Sequence, residues 1–457
     1  MSHASLAERF LSEPGRSAWH DEALWFVREG RDRAVRSVAE WDDLVALAAQ
    51  IKAHALANLP EMLEAFEREA VRRGAVVHWA ADAEEHNRIV CGLLEERQVQ
   101  RVAKSKSMLT EECRLNPHLE ARGIEVFDTD LGERIVQLRE EPPSHIVLPA
   151  IHLKKEEVGA LFHEKLGTPE GLSRPEPLVE AARRDLRRRF LAAQAGITGV
   201  NFGIAETGGI VVCTNEGNAD LGTSLPPLHI ASMGIEKVIP RLEDLGVFLR
   251  LLARSATGQA ITAYSSHFHG PPADSELHVV LVDNGRSELR GRETVRDALR
   301  CIRCGACMNT CPVFRRSGGH SYAATVPGPI GSVLEPSRSP RAHASLPFAC
   351  SVCGSCANVC PVAIDLPQQL LDTRAELVRT HSVPGGVRRG VSWMTSTFRG
   401  RLRYRAASAF LRAVFRVTPR AFLERAARPW AASRTLPEPA PETFRTWWRT
   451  RTRERSS

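Results

Sequence analysis

The sequence predicts an α/β protein: a largely parallel sheet covered by helices, then an α-helical cysteine-rich region, then an Arg-rich helical C-terminal extension. Three observations carry this. Short apolar runs alternate with helix-like stretches between residues 76 and 282. Of 11 cysteines, eight fall into two tight groups at 301–311 and 350–360. Charge is also partitioned: from His381 to Ser457 there are 17 Arg, no Lys and 4 Glu, a charge of +13. The whole chain carries +7, so the first 380 residues carry −6.

Residues 15–73 read as helices, because Val38, Trp41, Val45, Ala48 and Ile51 keep helical spacing and Pro60 suits a helix start. Val76–Ala80 reads as a strand, 82–99 as a helix, and Arg101–Ala103 and Ile124–Phe127 as further strands. Ile146-Val147-Leu148 reads as another strand before a helix. The helix around Glu180–Ala195 is expected to end at Gly196. Ile210–Cys213 and Leu277–Val282 complete the strand set, and Asp283-Asn284-Gly285 marks a turn. The stretch 317–347, rich in Gly, Pro and Ser, is expected to wrap rather than pack. Beyond 380, Leu402, Ala406, Phe410 and Val414 suggest an amphipathic helix, and prolines 437, 439 and 441 precede Trp447-Trp448.

A chain of 457 residues is too long for one ordinary core, so two or three domains are expected. With 43% hydrophobic and 25% charged residues the composition is that of a globular protein. No apolar run approaches the ~20 residues needed to cross a bilayer. The first residues, MSHASLAERFLSEPG, have no apolar core of a secretory signal, so a cytoplasmic location is predicted. In that compartment clustered cysteines signal metal rather than disulfides.

The first cysteine run is Cys301-x2-Cys304-x2-Cys307-x3-Cys311-Pro312, and the second is Cys350-x2-Cys353-x2-Cys356-x3-Cys360-Pro361. Three thiolates two residues apart on a tight loop grip three irons of a cubane, and the fourth Cys of each run ligates the other cluster. The spacing therefore predicts two [4Fe–4S] clusters, one on Cys301, Cys304, Cys307 and Cys360, the other on Cys350, Cys353, Cys356 and Cys311. The proline after each fourth Cys is expected to end its helix. Structural zinc would use two CxxC pairs and leave the third CxxC-spaced Cys unexplained. The 38 residues between Cys311 and Cys350 exceed the gap of a compact bacterial ferredoxin and suit a helical dicluster domain.

Several segments resemble the lactate utilization protein B family, iron–sulfur subunits of a bacterial L-lactate oxidation system. They are Lys104–Glu112 (KSKSMLTEE), Glu141–Val147 (EPPSHIV), Ala205–Gly209 (AETGG), Asn215–Asn218 (NEGN), Pro227–Ile230 (PLHI), Gly234–Val238 (GIEKV) and Gly328–Gly331 (GPIG). The resemblance spans roughly 15–450. It implies an N-terminal helical segment (1–59), a LUD domain related to sugar-phosphate isomerase folds (60–285), a helical ferredoxin-type domain (286–380) and a basic extension (381–457). It also implies electron transfer during oxidation of L-lactate to pyruvate, as an oxidoreductase subunit. Two partners are implied, one with cysteine-rich domains and one with a second LUD domain. No cysteine follows Cys360 here, so such a cysteine-rich module would come from another chain. An alternative is an electron carrier or adaptor for another 2-hydroxy acid, such as glycolate, with a non-catalytic LUD domain.

Within the LUD region, Gly203–Gly209 is the candidate loop, since glycines let a backbone approach an anion. Glu206 is the candidate base, and Thr207, Gly208, Glu216 and Asn218 are candidate substrate contacts. The plainer reading is that these glycines shape turns. The family often has Thr or Ser where this chain has Gly209, so no hydroxyl stands at that position here. Lys104 and Lys106, with Ser105 and Ser107, are candidates for binding L-lactate or another small anion. His145, His152 and His229 are weaker candidates, because a lone His is more often structural, and Cys91, Cys113 and Cys213 read as buried structural thiols. No dinucleotide fingerprint or P-loop occurs. The basic extension, with Trp430, Trp447 and Trp448, is a candidate dock for an acidic partner or the inner membrane face; no nucleic-acid-binding motif accompanies it.

Overall fold

Six strands form a wholly parallel sheet: β1 (Val76–Ala80), β2 (Arg101–Lys104), β3 (Glu125–Asp128), β4 (Ala195–Gly199), β7 (Leu228–Gly234) and β10 (Glu276–Val282). Their order is β1-β10-β7-β4-β2-β3. This computed structural model describes residues 2–380, 382, 385–427 and 435–454. The side-chain period of two sorts the central strands onto two faces. Ile230, Val280 and Val282 pack with Val90, Leu94 and Leu119 on one face. Ala231, Met233, Val279 and Leu281 pack with Leu63 and Phe66 on the other. Every residue of β7 is buried, as a strand covered on both faces requires.

A second sheet, ordered β8-β5-β6-β9, stands beside the first. It comprises β5 (Phe202–Ile204), β6 (Gly209–Thr214), β8 (Val238–Ile239) and β9 (Tyr264–Phe268). Its apolar face joins a large core with helices Arg16–Arg36 and Trp41–Ala57. Phe202, Phe248 and Leu251 of that core continue into Met308, Phe314, Ile330 and Leu370 of the cysteine region. Residues up to Ser382 accordingly gather into one compact unit, and those beyond form a second. The second unit holds helices Gly385–Phe398, Arg401–Val417, Arg420–Ala426 and Phe444–Glu454. Trp430 lies outside the described residues. Among the described residues no helix is long and apolar enough to cross a membrane.

Four local expectations are corrected. Ile146-Val147-Leu148 is not a strand; the Val147 and Leu148 N–H groups turn back and donate to His145 Nδ1, each at 3.0 Å. Gly196 lies inside β4 rather than ending a helix, which stops at Ala192. Its missing Cβ is what lets the Gly222 carbonyl approach, since a Cβ there would meet that oxygen at 1.9 Å. Residues 317–347 pack as well as wrap: helix Gly328–Arg338 is buried from Gly328 to Ser337. Pro312 starts a helix, with Cys311 as its N-cap residue, because a proline at the first helical position gives up only an N–H that has no partner anyway.

Candidate functional site

The carboxyl ends of parallel strands are where α/β sheets receive ligands. Here the segments leaving β2, β4, β7 and β10 open onto a cavity of about 300 Å³. Lys106 and Ser107 follow β2, Asn201 follows β4, Glu236 and Lys237 follow β7, and Arg286 follows β10. The opposite wall is the first cysteine loop, which contributes Arg303 and Cys304. Ile146, Val147 and Leu148 close one side. Local signals fix several of these groups. Ser107 and Asp130 cap the helices Met108–Glu112 and Leu131–Leu138 by accepting from the Thr110 and Glu133 N–H groups, and both side chains also line the cavity.

The sequence candidates divide. Glu216 and Asn218 line the cavity. Lys104 does not: it is fully buried, 2.8 Å from Asp128 and 2.9 Å from Glu111. Burial disfavours its charge, yet Asp128, Glu111 and Glu133 outweigh that and hold its pKa well above the usual value. The reason is register: Lys104 is the last residue of β2, enclosed within the sheet layer, while Lys106 stands beyond the strand end. Glu206, Thr207 and Gly208 also lie away from the cavity, in the turn between β5 and β6. The exposed Glu206 accepts from the Leu242 N–H at 2.9 Å, and the Thr207 hydroxyl accepts from the Gly209 N–H at 3.2 Å. Gly208 sits at φ +64° against helix Leu59–Arg72, where a Cβ would meet the Ala70 nitrogen at 2.1 Å. These glycines shape a turn and a helix contact.

Lys106 donates to Asp130 at 2.8 Å and to the Val147 carbonyl at 3.1 Å. Burial opposes its charge, but Asp130, Glu133 and Glu216 raise its pKa overall. Glu216 is held above the ordinary carboxylate value. Burial first and repulsion from Asp130 second raise its pKa, against a hydrogen bond from the Leu131 N–H. Deeper in, Arg286 bonds Glu236 at 2.5 Å and Glu112 at 2.8 Å. Arg338 adds a contact to Glu112 at 3.2 Å and Arg303 another at 3.5 Å. Burial would raise both carboxyls, but these cations hold Glu112 and Glu236 at about 2. Burial lowers the pKa of Lys237, which donates to the Cys301 carbonyl at 3.4 Å. The Nη1 atom of Arg303 is buried without a hydrogen-bond partner. The sequence reading missed Lys237, Arg286 and Arg303, as well as Glu112 and Glu236. Glu236, Lys237 and Arg286 carried the signal of following a strand and Arg303 that of lying inside the cysteine motif, while Glu112, at the end of helix Met108–Glu112, carried neither.

His145 is buried, and its Nε2–H donates to Asn309 at 3.0 Å while Nδ1 accepts, so it braces the cysteine loop as a neutral ring with a pKa of about 3. His229 is buried against Thr198 at 2.8 Å, and His152 bonds Glu141 at 2.7 Å; neither lines the cavity. Cys91 and Cys113 are buried, whereas Cys213 is half-buried on the cavity wall.

The two cysteine runs repeat one backbone design. Arg303 (φ +60°) and Gly305 (φ +73°) in the first match Val352 (φ +55°) and Gly354 (φ +81°) in the second. These left-handed residues curl each loop so that N–H groups face sulfur. Arg303 donates to Cys301 Sγ at 3.4 Å, Val352 to Cys350 Sγ at 3.2 Å and Ile364 to Cys360 Sγ at 3.3 Å. Cys301, Cys304, Cys307 and Cys360 line one small enclosed cavity with Ile146, Ile302 and Ile364. Cys311 is within electrostatic reach of Cys350 and Cys353, and Cys356 of all three. Among the described residues no three His, Cys, Asp or Glu side chains converge on a point that would suit one metal ion. Thiolates around a single zinc at ~2.3 Å would have to converge so. Sulfurs spread around a hollow, with amide donors and apolar walls, fit a multi-iron cluster.

Residues 63–289 match the LUD domain family and residues 297–364 the 4Fe-4S dicluster domain family. The chain is 40% identical over 441 residues to the uncharacterized electron transport protein YkgF of Escherichia coli (strain K12), covering 93% of this chain and 91% of that one. It is 40% identical over 444 residues to lactate utilization protein B of Macrococcus caseolyticus, covering 93% and 92%. It is 41% identical over 438 residues to lactate utilization protein B of Geobacillus thermodenitrificans, covering 91% and 90%.

Proposed function

The chain belongs to the lactate utilization protein B family, and from that premise we propose that it is the iron–sulfur electron-transfer subunit of a complex oxidising L-lactate to pyruvate. One observation carries the reading: a single cavity has Cys304 in one wall and polar side chains from the strand ends of the LUD domain in the other. Cys301, Cys304, Cys307 and Cys360 would hold one [4Fe–4S] cluster, and Cys350, Cys353, Cys356 and Cys311 a second. Such clusters take up and release single electrons.

The chain's own residues supply the rest. Arg303 and Lys237 are the cavity cations suited to grip a small carboxylate, and Arg303 has a buried donor to spare. Oxidation of a 2-hydroxy acid removes the hydroxyl proton and, from the C–H bond, a hydrogen with its electron pair; because the clusters pass electrons singly, that hydrogen would leave to a two-electron acceptor carried by a partner subunit. Glu216, with its raised pKa, is the carboxylate suited to receive the hydroxyl proton, with Lys106 and Asp130 beside it. Ile146, Val147 and Leu148 exclude water from that side. The subunit works in the cytoplasm with a cysteine-rich-domain protein and a second LUD-domain protein as partners.

A second reading has a specific observation behind it. The cavity wall carries Lys106, Lys237, Arg286 and Arg303 against Glu112, Asp130, Glu216 and Glu236, so the charges balance. A balanced pocket suits a carrier or adaptor, serving lactate or another 2-hydroxy acid such as glycolate, whose LUD domain has no chemistry of its own.

Anaerobic purification with iron analysis, then isothermal titration with L-lactate and with glycolate, separates the readings. The first expects ~8 irons per chain and lactate binding that Lys237→Met or Arg303→Met weakens about ten- to a hundred-fold, as loss of a charged hydrogen bond does. Full iron with no binding of either acid would overturn it in favour of the carrier.

A further inference from the structure

We propose that the C-terminal unit is an anchor for an anionic lipid surface, with helix Arg401–Val417 lying in the plane of the headgroups. Residues 385–417 contain eight Arg and neither Asp nor Glu. Within the helix, Arg401, Arg405, Arg412 and Arg416 follow a spacing that puts them on one side. Leu402, Phe410 and Val417, eight and seven residues apart, fall within about 80° of one another on the adjacent side of the helix and so form a neighbouring apolar stripe. That stripe is bare: Leu402 is 80%, Phe410 67% and Val417 83% exposed. No residue of this helix, or of Arg420–Ala426, is buried. An unshielded apolar stripe ~25 Å long beside a row of cations is the pattern of a helix that lies on a membrane rather than crossing it.

The aromatic side chains agree. In helix Phe444–Glu454, Phe444 packs on Trp447 and Trp448 with ring centroids 5.6 and 5.8 Å apart. Arg451 lies over the Trp447 ring at 5.1 Å, and Arg445 over Tyr404 at 5.9 Å. Amphipathic rings paired with guanidinium groups sit well at headgroup depth, where one end is apolar and the other wet. A nucleic acid would satisfy the arginines but leave Leu402 and Val417 in water. A protein partner would need a matching groove, whereas a lipid surface needs only the periodic pattern that is present.

The test uses the full, iron-loaded chain in co-sedimentation with vesicles. One set is phosphatidylcholine alone; the other has about one-third phosphatidylglycerol, whose charge attracts basic segments. The expected result is partition onto the anionic vesicles only, falling as salt rises from about 0.05 to about 0.5 M. Leu402→Asp with Phe410→Asp should abolish it at unchanged iron content, which serves as the folding control. Arg405→Gln, which leaves the apolar stripe intact, should weaken it about five-fold, the worth of one charge near such a surface. Equal partition onto neutral vesicles, no partition onto anionic ones, indifference to these substitutions, or displacement from vesicles by a DNA duplex would each overturn the proposal.

Discussion

Replacing Arg286 with Met removes the cation at the centre of the buried network beside the cavity. Arg286 is 2% exposed and bonds Glu236, Glu112 and, through Nη1 at 3.0 Å, the Asp283 carbonyl. A carboxyl held at about 2 rather than 4.5 is favoured by roughly 3 kcal/mol at neutral pH. The two carboxyls do not lose that sum together. Glu112 keeps Arg338 and Arg303, while Glu236 loses its one ion-pair partner among the described residues. The expected cost is therefore that of one buried charge left unpaired, about 3–5 kcal/mol. Adding Glu236→Gln should restore most of it, because a neutral amide no longer needs the cation. The pH dependence has a definite sign. In the wild type the depressed carboxyls contribute stability above their unfolded value of 4.5, and lose it as pH falls toward 2. In Arg286→Met only Lys237 and Arg303 still oppose the burial of Glu236, so the variant gains less stability than the wild type as pH rises above 4.5. The deficit should widen from acid to neutral pH in urea unfolding followed by circular dichroism under argon. A deficit below about 1 kcal/mol, or a double variant no better than the single one, would refute the reasoning.

Cys304→Ser should halve the iron content of purified protein while Cys213→Ser leaves it unchanged; full iron in the first would break the ligand assignment. Gly208→Ala forces a Cβ against the Ala70 backbone at a left-handed φ, and should lower stability by at least about 2 kcal/mol. Glu206→Ala, one residue away and exposed, should leave both stability and lactate binding unchanged, and a loss of binding there would return the site to that turn. Glu216→Gln should stabilise the protein at neutral pH. Burial and Asp130 raise the folded pKa of Glu216, so its contribution is fully present below 4.5 and is lost as pH rises through the folded value. Thermal midpoints at several pH values check this, and a uniform loss across pH would count against it.

What could be read from the sequence was local. The cysteine runs declare themselves within eleven residues each, because one loop must supply three thiolates. Strands such as Val76–Ala80 and Leu277–Val282 were legible because each is a short apolar run between turn signals. The cavity is assembled from residues up to nearly 200 positions apart, Lys106 to Cys304, so no window along the chain contains it. The glycine-rich string 203–209 drew the reading away from it, since a tight turn and an anion loop share the same composition. Lys104 and Lys106 differ only in whether the strand has ended, a distinction finer than pattern reading resolves. Arg303 lay inside the motif but in a position between ligands, where only the fold reveals that its side chain faces the LUD domain. Listing the residues just after each parallel strand would have recovered Lys106, Asn201, Glu236 and Arg286 together.

The two cysteine loops share a backbone and differ in what they carry, and that difference makes one end of the unit closed and the other open. At the left-handed position the first loop has Arg303, whose side chain is 13% exposed and reaches Glu112 in the cavity wall. The second has Val352, 38% exposed, next to the exposed Cys353 and near Phe348, itself 38% exposed. A helix Leu366–Arg379 buttresses this second loop from within, as Arg374 donates to the Cys350 carbonyl at 2.6 Å and to the Pro347 carbonyl at 2.8 Å. The first cysteine set thus faces a buried cavity lined by ionisable groups, and the second lies beside exposed apolar side chains. A subunit that only stored electrons would gain nothing from this asymmetry. On the proposed electron-transfer function, receipt at an enclosed site and delivery to another protein would use a closed end and an open end, and residues 303 and 352 are where the sequence makes the two ends different.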